Sequence, residues 1–167
     1  GSPSVCVSLQ LSASDPTVSE SGSSVNVIVS LSAASASTVT VDFATSDASA
    51  TGGSDYTPAS GTVSFAPGST SETVTITILS DIVDELDETF TVLLSNPTGG
   101  STLAETSATA TITDDDTASL SIADATTTET DASSSVVLTF SISTTSDRDV
   151  SVDWTPTAGP PLPGPDF

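Results

Sequence analysis

The sequence contains no histidine and no lysine, and Arg148 is the one basic residue among 167. It therefore lacks both the side chain that usually titrates near neutral pH and the amine that forms Schiff bases, so catalysis is restricted to carboxylate chemistry. A nucleic-acid partner is excluded, because its phosphates are met by lysine and arginine. Anionic membrane surfaces are disfavoured for the same reason.

Cysteine and long apolar runs are equally scarce. Cys6 is the only cysteine, so it cannot form a disulfide within the chain, and zinc sites made of thiolate and imidazole ligands are excluded. We assign Cys6 no function. No apolar stretch approaches the roughly 20 residues that a membrane-spanning helix needs, so we expect no membrane insertion.

The residues that are abundant predict strands. Valine, isoleucine, leucine and alanine alternate with threonine and serine, and the mean hydropathy is +0.16 despite a net charge of −21. Seven short alternating runs cover residues 5–11, 25–31, 39–43, 63–65, 74–78, 90–94 and 108–112. With no helical pattern between them, they predict an all-β fold, a seven-stranded antiparallel β-sandwich of the immunoglobulin-like kind.

An internal repeat divides the chain into two parts. Val41-Asp42-Phe43 recurs as Val152-Asp153-Trp154, and Asp55-Tyr56 recurs as Asp166-Phe167, an offset of about 110 residues that corresponds to one sandwich domain. We predict a domain over residues 3–116, preceded by a cloning remnant at residues 1–2. Residues 117–167 then hold the first three strands of a truncated second copy, whose open edges allow strand pairing with another chain.

The acidic residues are concentrated at one end of the predicted sandwich. Successive antiparallel strands reverse direction, so the connections after the first, third and fifth strands and the end of the seventh meet at one end. These segments hold twelve acids, which are Asp15, Glu20, Asp47, Asp55, Asp81, Asp84, Glu85, Asp87, Glu88, Asp114, Asp115 and Asp116. The connections at the opposite end carry only Glu72 and Glu105, at their borders.

Two interpretations of this acidic end are open. Carboxylates about 4 Å apart repel each other by ~1 kcal/mol per pair in water, so a converging cluster is costly unless a cation lies within it. Ca²⁺ accepts oxygen ligands in tolerant geometry and fits several acid-rich loops, whereas Mg²⁺ demands stricter octahedral geometry. The alternative is a solvated acidic surface that aids solubility. Segregation of the acids to one end favours calcium.

The first part of the chain resembles the Calx-beta family, the repeat found in sodium/calcium exchangers, an integrin beta subunit and large surface proteins. The strings that carry the resemblance include Val41-Asp42-Phe43-Ala44-Thr45, Gly53-Ser54-Asp55-Tyr56, Asp87-Glu88-Thr89-Phe90 and Ile112-Thr113-Asp114-Asp115-Asp116. They span residues 5–116 in the order of the family. The resemblance implies a cluster of calcium sites at one end of the sandwich.

The resemblance also implies particular ligands. Carried over position by position, they are Glu20, Asp47, Asp81, the backbone carbonyl of Val83, Glu85, Glu88, Asp114, Asp115 and Asp116. Ser80 departs from the family by replacing the first aspartate of a pair, so we expect fewer ions or weaker binding. The second copy retains Glu129 but has Ala158 at the position of Asp47, and we expect no intact calcium site there.

Three further features have a structural and a functional interpretation. Asp55 either structures its loop by accepting backbone hydrogen bonds or binds metal. Arg148, between Asp147 and Asp149, is expected near the joint between the copies, paired with an acid of the first domain. Threonine rows at residues 73–77 and 109–113 could face ice or a polysaccharide, but outward strand positions favour threonine in any case.

An enzyme is the least favoured function class. Glycoside hydrolysis needs two carboxylates about 5 to 9.5 Å apart, but the aromatic residues that would hold a sugar make up only 4% of the chain. The single tryptophan, Trp154, corresponds to Phe43 and is interpreted as a core residue. We expect no enzymatic activity.

The favoured function is a calcium-binding structural or adhesive module of a large multi-repeat protein, extracellular or at the cell surface and bacterial by its composition. Its partners would be calcium and the neighbouring repeats, with the ion stiffening the joint that follows Asp116. A regulatory calcium sensor that couples binding to conformational change is the alternative. A metal-free adhesive spacer is the third possibility.

Overall fold

A computed structural model describes residues 8–128 and 134–157. The described strands are β1 (Leu9–Ala13), β2 (Thr17–Ser19), β3 (Ser24–Leu31), β4 (Val39–Asp47), β5 (Ser60–Phe65), β6 (Ser71–Thr77), β7 (Glu88–Ser95), β8 (Ser101–Leu103), β9 (Ser107–Thr113), β10 (Leu120–Ile122) and β11 (Phe140–Ile142). In these residues there is no helix long and apolar enough to cross a membrane.

Strands β1 to β9 form two sheets around one core. The four-stranded sheet has the order β6-β3-β1-β8, and the five-stranded sheet has the order β2-β9-β7-β4-β5. Alternate side chains, such as Val25, Val27 and Val29 of β3, are buried and join those of the other sheet, such as Val41 and Phe90, in a single cluster. The predicted class, an immunoglobulin-like sandwich, is confirmed.

The strand count and the pairing differ from the prediction in detail. The seven predicted runs correspond to β1, β3, β4, β5, β6, β7 and β9, while β2 and β8 are additional strands of three residues each. β2 pairs with β9, and β8 with β1, in parallel. The chain passes from the four-stranded sheet to the five-stranded sheet between β1 and β2. Pro16 lies between these strands, and it interrupts the strand pairing because it has no backbone N–H.

The residues that follow the sandwich contain one short pair of strands. β10 and β11 are antiparallel, with Leu120 opposite Ile142, and their apolar side chains are exposed. Trp154 is 61% exposed, so its interpretation as a core residue is wrong, because no strand in the described ranges covers it. The predictions for Cys6, Glu129, Ala158 and the Asp166-Phe167 pair concern residues outside those ranges.

Candidate metal centre

The loops after β2, β4 and β6 meet the end of β9 at one end of the sandwich. The backbone N–H of Glu20 donates to the carbonyl of Thr113, at 2.9 Å, and the N–H of Asp81 donates to Glu20 Oε1, at 2.7 Å. Farther along, the N–H of Asp114 donates to Asp87 Oδ1, at 3.2 Å. These bonds join residues distant in sequence and bring their acidic side chains into one region.

A first cluster, the Glu20 group, consists of Glu20, Asp115 and Asp116. One carboxylate oxygen from each residue lies within 4.8 Å of the others. Glu20 is only 6% exposed, and this burial, together with the negative charges of Asp81, Asp116 and Asp114, raises its pKa. Asp115 differs, because hydrogen bonds from Ser21 lower its pKa.

A second cluster, the Glu88 group, consists of Asp55, Glu85 and Glu88. Its three carboxylates also offer oxygens within 4.8 Å of one another. Burial, followed by the negative charge of Asp55, raises the pKa of Glu88 to about 7. Burial and the charges of Asp81 and Asp55 raise the pKa of Glu85 as well. Ionising Glu85 and Glu88 in this position therefore costs free energy.

One small cavity connects the two groups. It is lined by members of both and by neighbouring side chains: Glu20, Asp55, Glu85, Leu86, Glu88, Ile112 and Asp114. Asp81 is joined to this region by the bond from its N–H to Glu20, and in the same loop the Val83 N–H donates to Asp81 Oδ1, at 2.7 Å. Every predicted carboxylate ligand except Asp47 thus belongs to one of the groups, lines the cavity or hydrogen-bonds to a residue that lines it. Asp55, for which the sequence left two roles open, is in the same region.

Asp47 has a different environment from the other predicted ligands. Its Oδ1 accepts hydrogen bonds from the Tyr56 hydroxyl, at 2.6 Å, and from the Gly52 N–H, at 2.9 Å. These bonds lower the pKa of Asp47. Asp47 belongs to neither acid group among the described residues. Asp55, in the loop that follows Asp47, joins the Glu88 group, while its Oδ2 also accepts the Thr51 N–H at 2.5 Å.

Arg148 lies against the same end of the sandwich. Its guanidinium is 3.6 Å from Asp84 Oδ1 and 3.3 Å from Asp114 Oδ2, and it also donates to the Glu85 carbonyl. The Arg148 side chain is 45% exposed, whereas that of Asp114 is 6% exposed. The one cationic side chain of the chain is therefore directed at Asp114, which lines the cavity, and at the nearby Asp84.

Asp84 is a contact residue that the sequence did not single out as a ligand or partner. It is mostly buried, and its Oδ2 accepts the Ser146 hydroxyl at 2.9 Å. Its backbone N–H donates to the Thr145 carbonyl, and its own carbonyl accepts the Asp147 N–H, both at 3.1 Å. Residues 144–148 thus dock on the loop after β6 through backbone as well as side-chain bonds.

Fold and site together define an immunoglobulin-like β-sandwich domain with two acidic groups converging at one end. The model of the Calx-beta domain matches residues 5–116. The chain therefore belongs to the Calx-beta family.

The sequence relatives are much longer proteins, and this chain spans only a small part of their length. The chain is 46% identical over 68 residues to sodium/calcium exchanger 1 of Rattus norvegicus, a match that covers 41% of this chain and 7% of the exchanger. It is also 46% identical over 70 residues to adhesion G-protein coupled receptor V1 of Danio rerio, covering 40% of this chain and 1% of the receptor.

Solved structures match the sandwich more completely. The crystal structure of the apo-form Calx CBD1 domain superposes with a TM-score of 0.61 at 28% identity, covering 65% of this chain and 98% of that one. The crystal structure of CBD12 from CALX1.2 gives a TM-score of 0.60 at 31% identity, covering 64% of this chain and 46% of that one.

Proposed function

We propose that the chain is a calcium-binding module and that its two acid groups hold the ions. The observation that carries the proposal is that, in each group, three acids from two distant segments of the chain offer oxygens within 4.8 Å of one another. Folding these carboxylates together is unfavourable without a cation, as the raised pKa values of Glu20 and Glu88 indicate. Bound calcium would remove that cost.

The donor set supports calcium over other metals. Both groups consist of carboxylates, and the chain has no histidine, so soft or borderline metals lack their preferred ligands. The ligands come from irregular loops, which suits the flexible coordination of Ca²⁺ better than the octahedral geometry of Mg²⁺. A further related structure, at 28% identity, is described as calcium binding domain CBD12 of CALX1.1, which supports the same choice.

The ligand set we propose adds one residue, Asp55, to the set predicted from the sequence. Glu20, Asp115 and Asp116 would hold one ion, and Asp55, Glu85 and Glu88 another. Asp81, Asp114 and the carbonyl of Val83, which the family resemblance implies as ligands, would complete the coordination. Asp47 stays in the proposed set, because Tyr56 and Gly52 engage only its Oδ1, and its Oδ2 accepts no hydrogen bond from the described residues.

Calcium affinity separates the structural module from the regulatory sensor. Titration calorimetry of the full chain should give a dissociation constant of about 10⁻⁴ to 10⁻³ M if the domain works outside the cell, against about 10⁻⁷ to 10⁻⁵ M for a sensor. We expect the weaker range, since the compositional bias supports a secreted or surface protein, bacterial by the same criterion. The relatedness to exchangers favours the sensor as second candidate. Absence of any binding heat at millimolar calcium would leave the metal-free adhesive spacer.

The module would act by binding and not by catalysis, with neighbouring repeats as partners. We propose that residues 117–167 belong to a second domain of the same kind, since they repeat the sequence of the first. The exposed apolar side chains of β10 and β11 would contact the rest of that domain or a strand of another chain. Calcium at the junction would stiffen the array.

Arg148→Ala should broaden the distribution of orientations between the sandwich and residues 117–157. The substitution removes the ion pairs with Asp84 and Asp114, while a pair this exposed contributes only about 0.2–1 kcal/mol to stability. Residual dipolar couplings in calcium-free buffer would report the change, with Asp149→Ala as the control for a charge change at a neighbouring residue. Identical couplings for wild type and Arg148→Ala would refute a role for Arg148 at the joint.

A further inference from the structure

A groove of 340 Å³ opens on one side of the sandwich, between the edges of its two sheets. β5 is the last strand of the five-stranded sheet and β6 the last strand of the four-stranded sheet. Within the described residues, neither pairs with a strand on its outer side. An open strand edge presents unpaired backbone groups, and these are the groups that an added β-strand recognises.

The unpaired backbone groups of β6 follow from a hydrogen bond at its end. The Thr77 carbonyl points away from β3 and accepts the Thr57 N–H at 2.9 Å. Residues of an antiparallel strand direct their backbone groups alternately to its two sides. The N–H and carbonyl groups of Thr73 and Thr75 therefore share the outer side with those of Thr77. Both residues line the groove.

The floor of the groove is apolar. Val63 and Val74 are buried there, whereas the Phe43 ring packs against the core but is only half-buried. Phe43 lies directly opposite Gly61 of β5, and glycine has no side chain to cover the ring. An inward-facing side chain of an added strand would therefore bury apolar surface beside β5.

Glu72 is the one charged residue among those that line the groove in the described part of the chain. It alternates with the exposed threonines of β6, on the same face as the buried Val74, and is half-buried. The Ser69 hydroxyl donates to its Oε1 at 2.8 Å. An inward-pointing charge on an edge strand opposes pairing with a strand that brings no opposite charge. The same carboxylate favours a strand with a basic side chain directly opposite.

Charge also decides against a second copy of the chain as the added strand. The net charge is −21 and Arg148 is the single basic residue, so none of the described strands contains a cation that could lie opposite Glu72. Two copies also repel each other through their net charge. A different protein with a basic residue in an extended segment meets neither obstacle.

We propose that the outer side of β6 binds an extended basic segment of another protein by strand addition, paired through the backbone groups of Thr73 and Thr75. Glu72 and Val74 then occupy non-hydrogen-bonded pairs, in which opposite side chains approach closely. In an antiparallel arrangement, an apolar residue lies opposite Val74 and over Phe43. A lysine or arginine two positions later lies opposite Glu72. The groove shares no lining residue with the acid groups, so this binding is independent of calcium.

A synthetic peptide with this pattern provides the test. Acetyl-Thr-Val-Thr-Val-Thr-Lys-Thr-amide matches the seven residues of β6 in length, and its counterpart has glutamate in place of lysine. NMR titration of the full chain at about 0.15 M ionic strength limits long-range attraction, because the Debye length is then about 8 Å. We expect saturable binding of the lysine peptide and slower amide exchange at Thr73 and Thr75. The glutamate peptide should bind at least about tenfold more weakly.

Substitutions in β6 test charge and backbone separately. Glu72→Lys should weaken binding of the lysine peptide about tenfold and reverse the preference in favour of the glutamate peptide. Thr73→Pro removes one outward N–H, which an edge strand tolerates, and should also weaken binding about tenfold. Thr73→Val keeps the N–H and should bind like the wild type.

Glu105→Lys is the matched control for charge, since it makes the same change just after β8, at the other edge of the four-stranded sheet. It should stay within about twofold of the wild type. Circular dichroism confirms that each variant is folded, and the charge reversal at Glu72 carries the test should Thr73→Pro fail to fold.

Four results would overturn the proposal. The first is no binding of the lysine peptide, and the second is exchange protection confined to residues outside β5 and β6. Equal losses in Glu72→Lys and Glu105→Lys would show that total charge, and not the groove, attracts the peptide. A dimer in sedimentation velocity that Thr73→Pro abolishes would make a second copy the occupant of the edge.

Discussion

Calcium should raise the melting temperature of the chain by about 10 to 20 °C over its value in chelator. A ligand at about 100 times its dissociation constant stabilises the folded state by about 2.7 kcal/mol per site, so two sites give about 5 kcal/mol in a domain of this size. Thermal unfolding across a calcium titration would measure the shift. Relief of the repulsion among the packed carboxylates is part of the calcium-binding free energy that produces this shift.

The double substitution Asp115→Ala with Glu85→Ala should remove most of this shift, since it takes one ligand from each acid group. The matched control is Glu72→Ala with Glu105→Ala, which deletes the same charge from the segments assigned to the opposite end. The control should keep the calcium response. Equal loss in both variants would mean that total charge, and not a site, produces the effect, and no response in the wild type would leave a solvated acidic surface.

In calcium-free buffer the stability of the chain should fall as pH rises from about 4.5 to about 7. Glu88 has an ordinary pKa of 4.5 and a folded-state pKa of about 7, so in this window the folded state binds more protons than the unfolded state. Stability then decreases with pH. Glu20, Glu85 and Asp116 also have raised pKa values and act in the same direction. The lowered pKa values of Asp42, Asp47 and Asp115 act at lower pH.

Saturating calcium should remove this dependence. The bound ion keeps Glu88 deprotonated in the folded state, and the unfolded state is also deprotonated above about pH 5, so stability should then be nearly constant from pH 5 to 7. Urea unfolding at pH 5, 6 and 7, in metal-depleted buffer and in excess calcium, measures both slopes. Glu88→Gln should flatten the calcium-free slope. A calcium-free stability that increases over this range would contradict the assigned pKa shift.

Much of the fold could be predicted from alternation alone, because side chains on a half-buried strand alternate between core and solvent. Strands of three residues, such as β2 and β8, contain too few positions for alternation to be detected. Their parallel pairing depends on where the chain changes sheets. Pro16 lies at that change, but a proline in the sequence does not indicate which strand β2 pairs with on the other sheet.

The location of the acidic end could likewise be predicted, since it follows from strand direction. The assignment of individual carboxylates could not, and the ligand set stays a prediction. Asp47 and Asp55 lie in the same connection and have the same chemistry, and the Tyr56 hydroxyl engages Asp47. The docking of Ser146 on Asp84 depends on tertiary placement of residues 144–148, for which the sequence carries no local signal.

The parallel pairing of β2 with β9 determines how the domain would respond to tension. In an array pulled from its ends, force enters near β1 and β2 and leaves after β9. The register of Thr17 with Thr111 through Ser19 with Thr113 is then loaded along the strands, so its hydrogen bonds must break together and not one after another. Glu20 directly follows β2, and Asp115 and Asp116 lie just past β9. An ion shared among them would extend this shear-loaded clamp beyond the last backbone bond and make the mechanical strength of the domain depend on calcium.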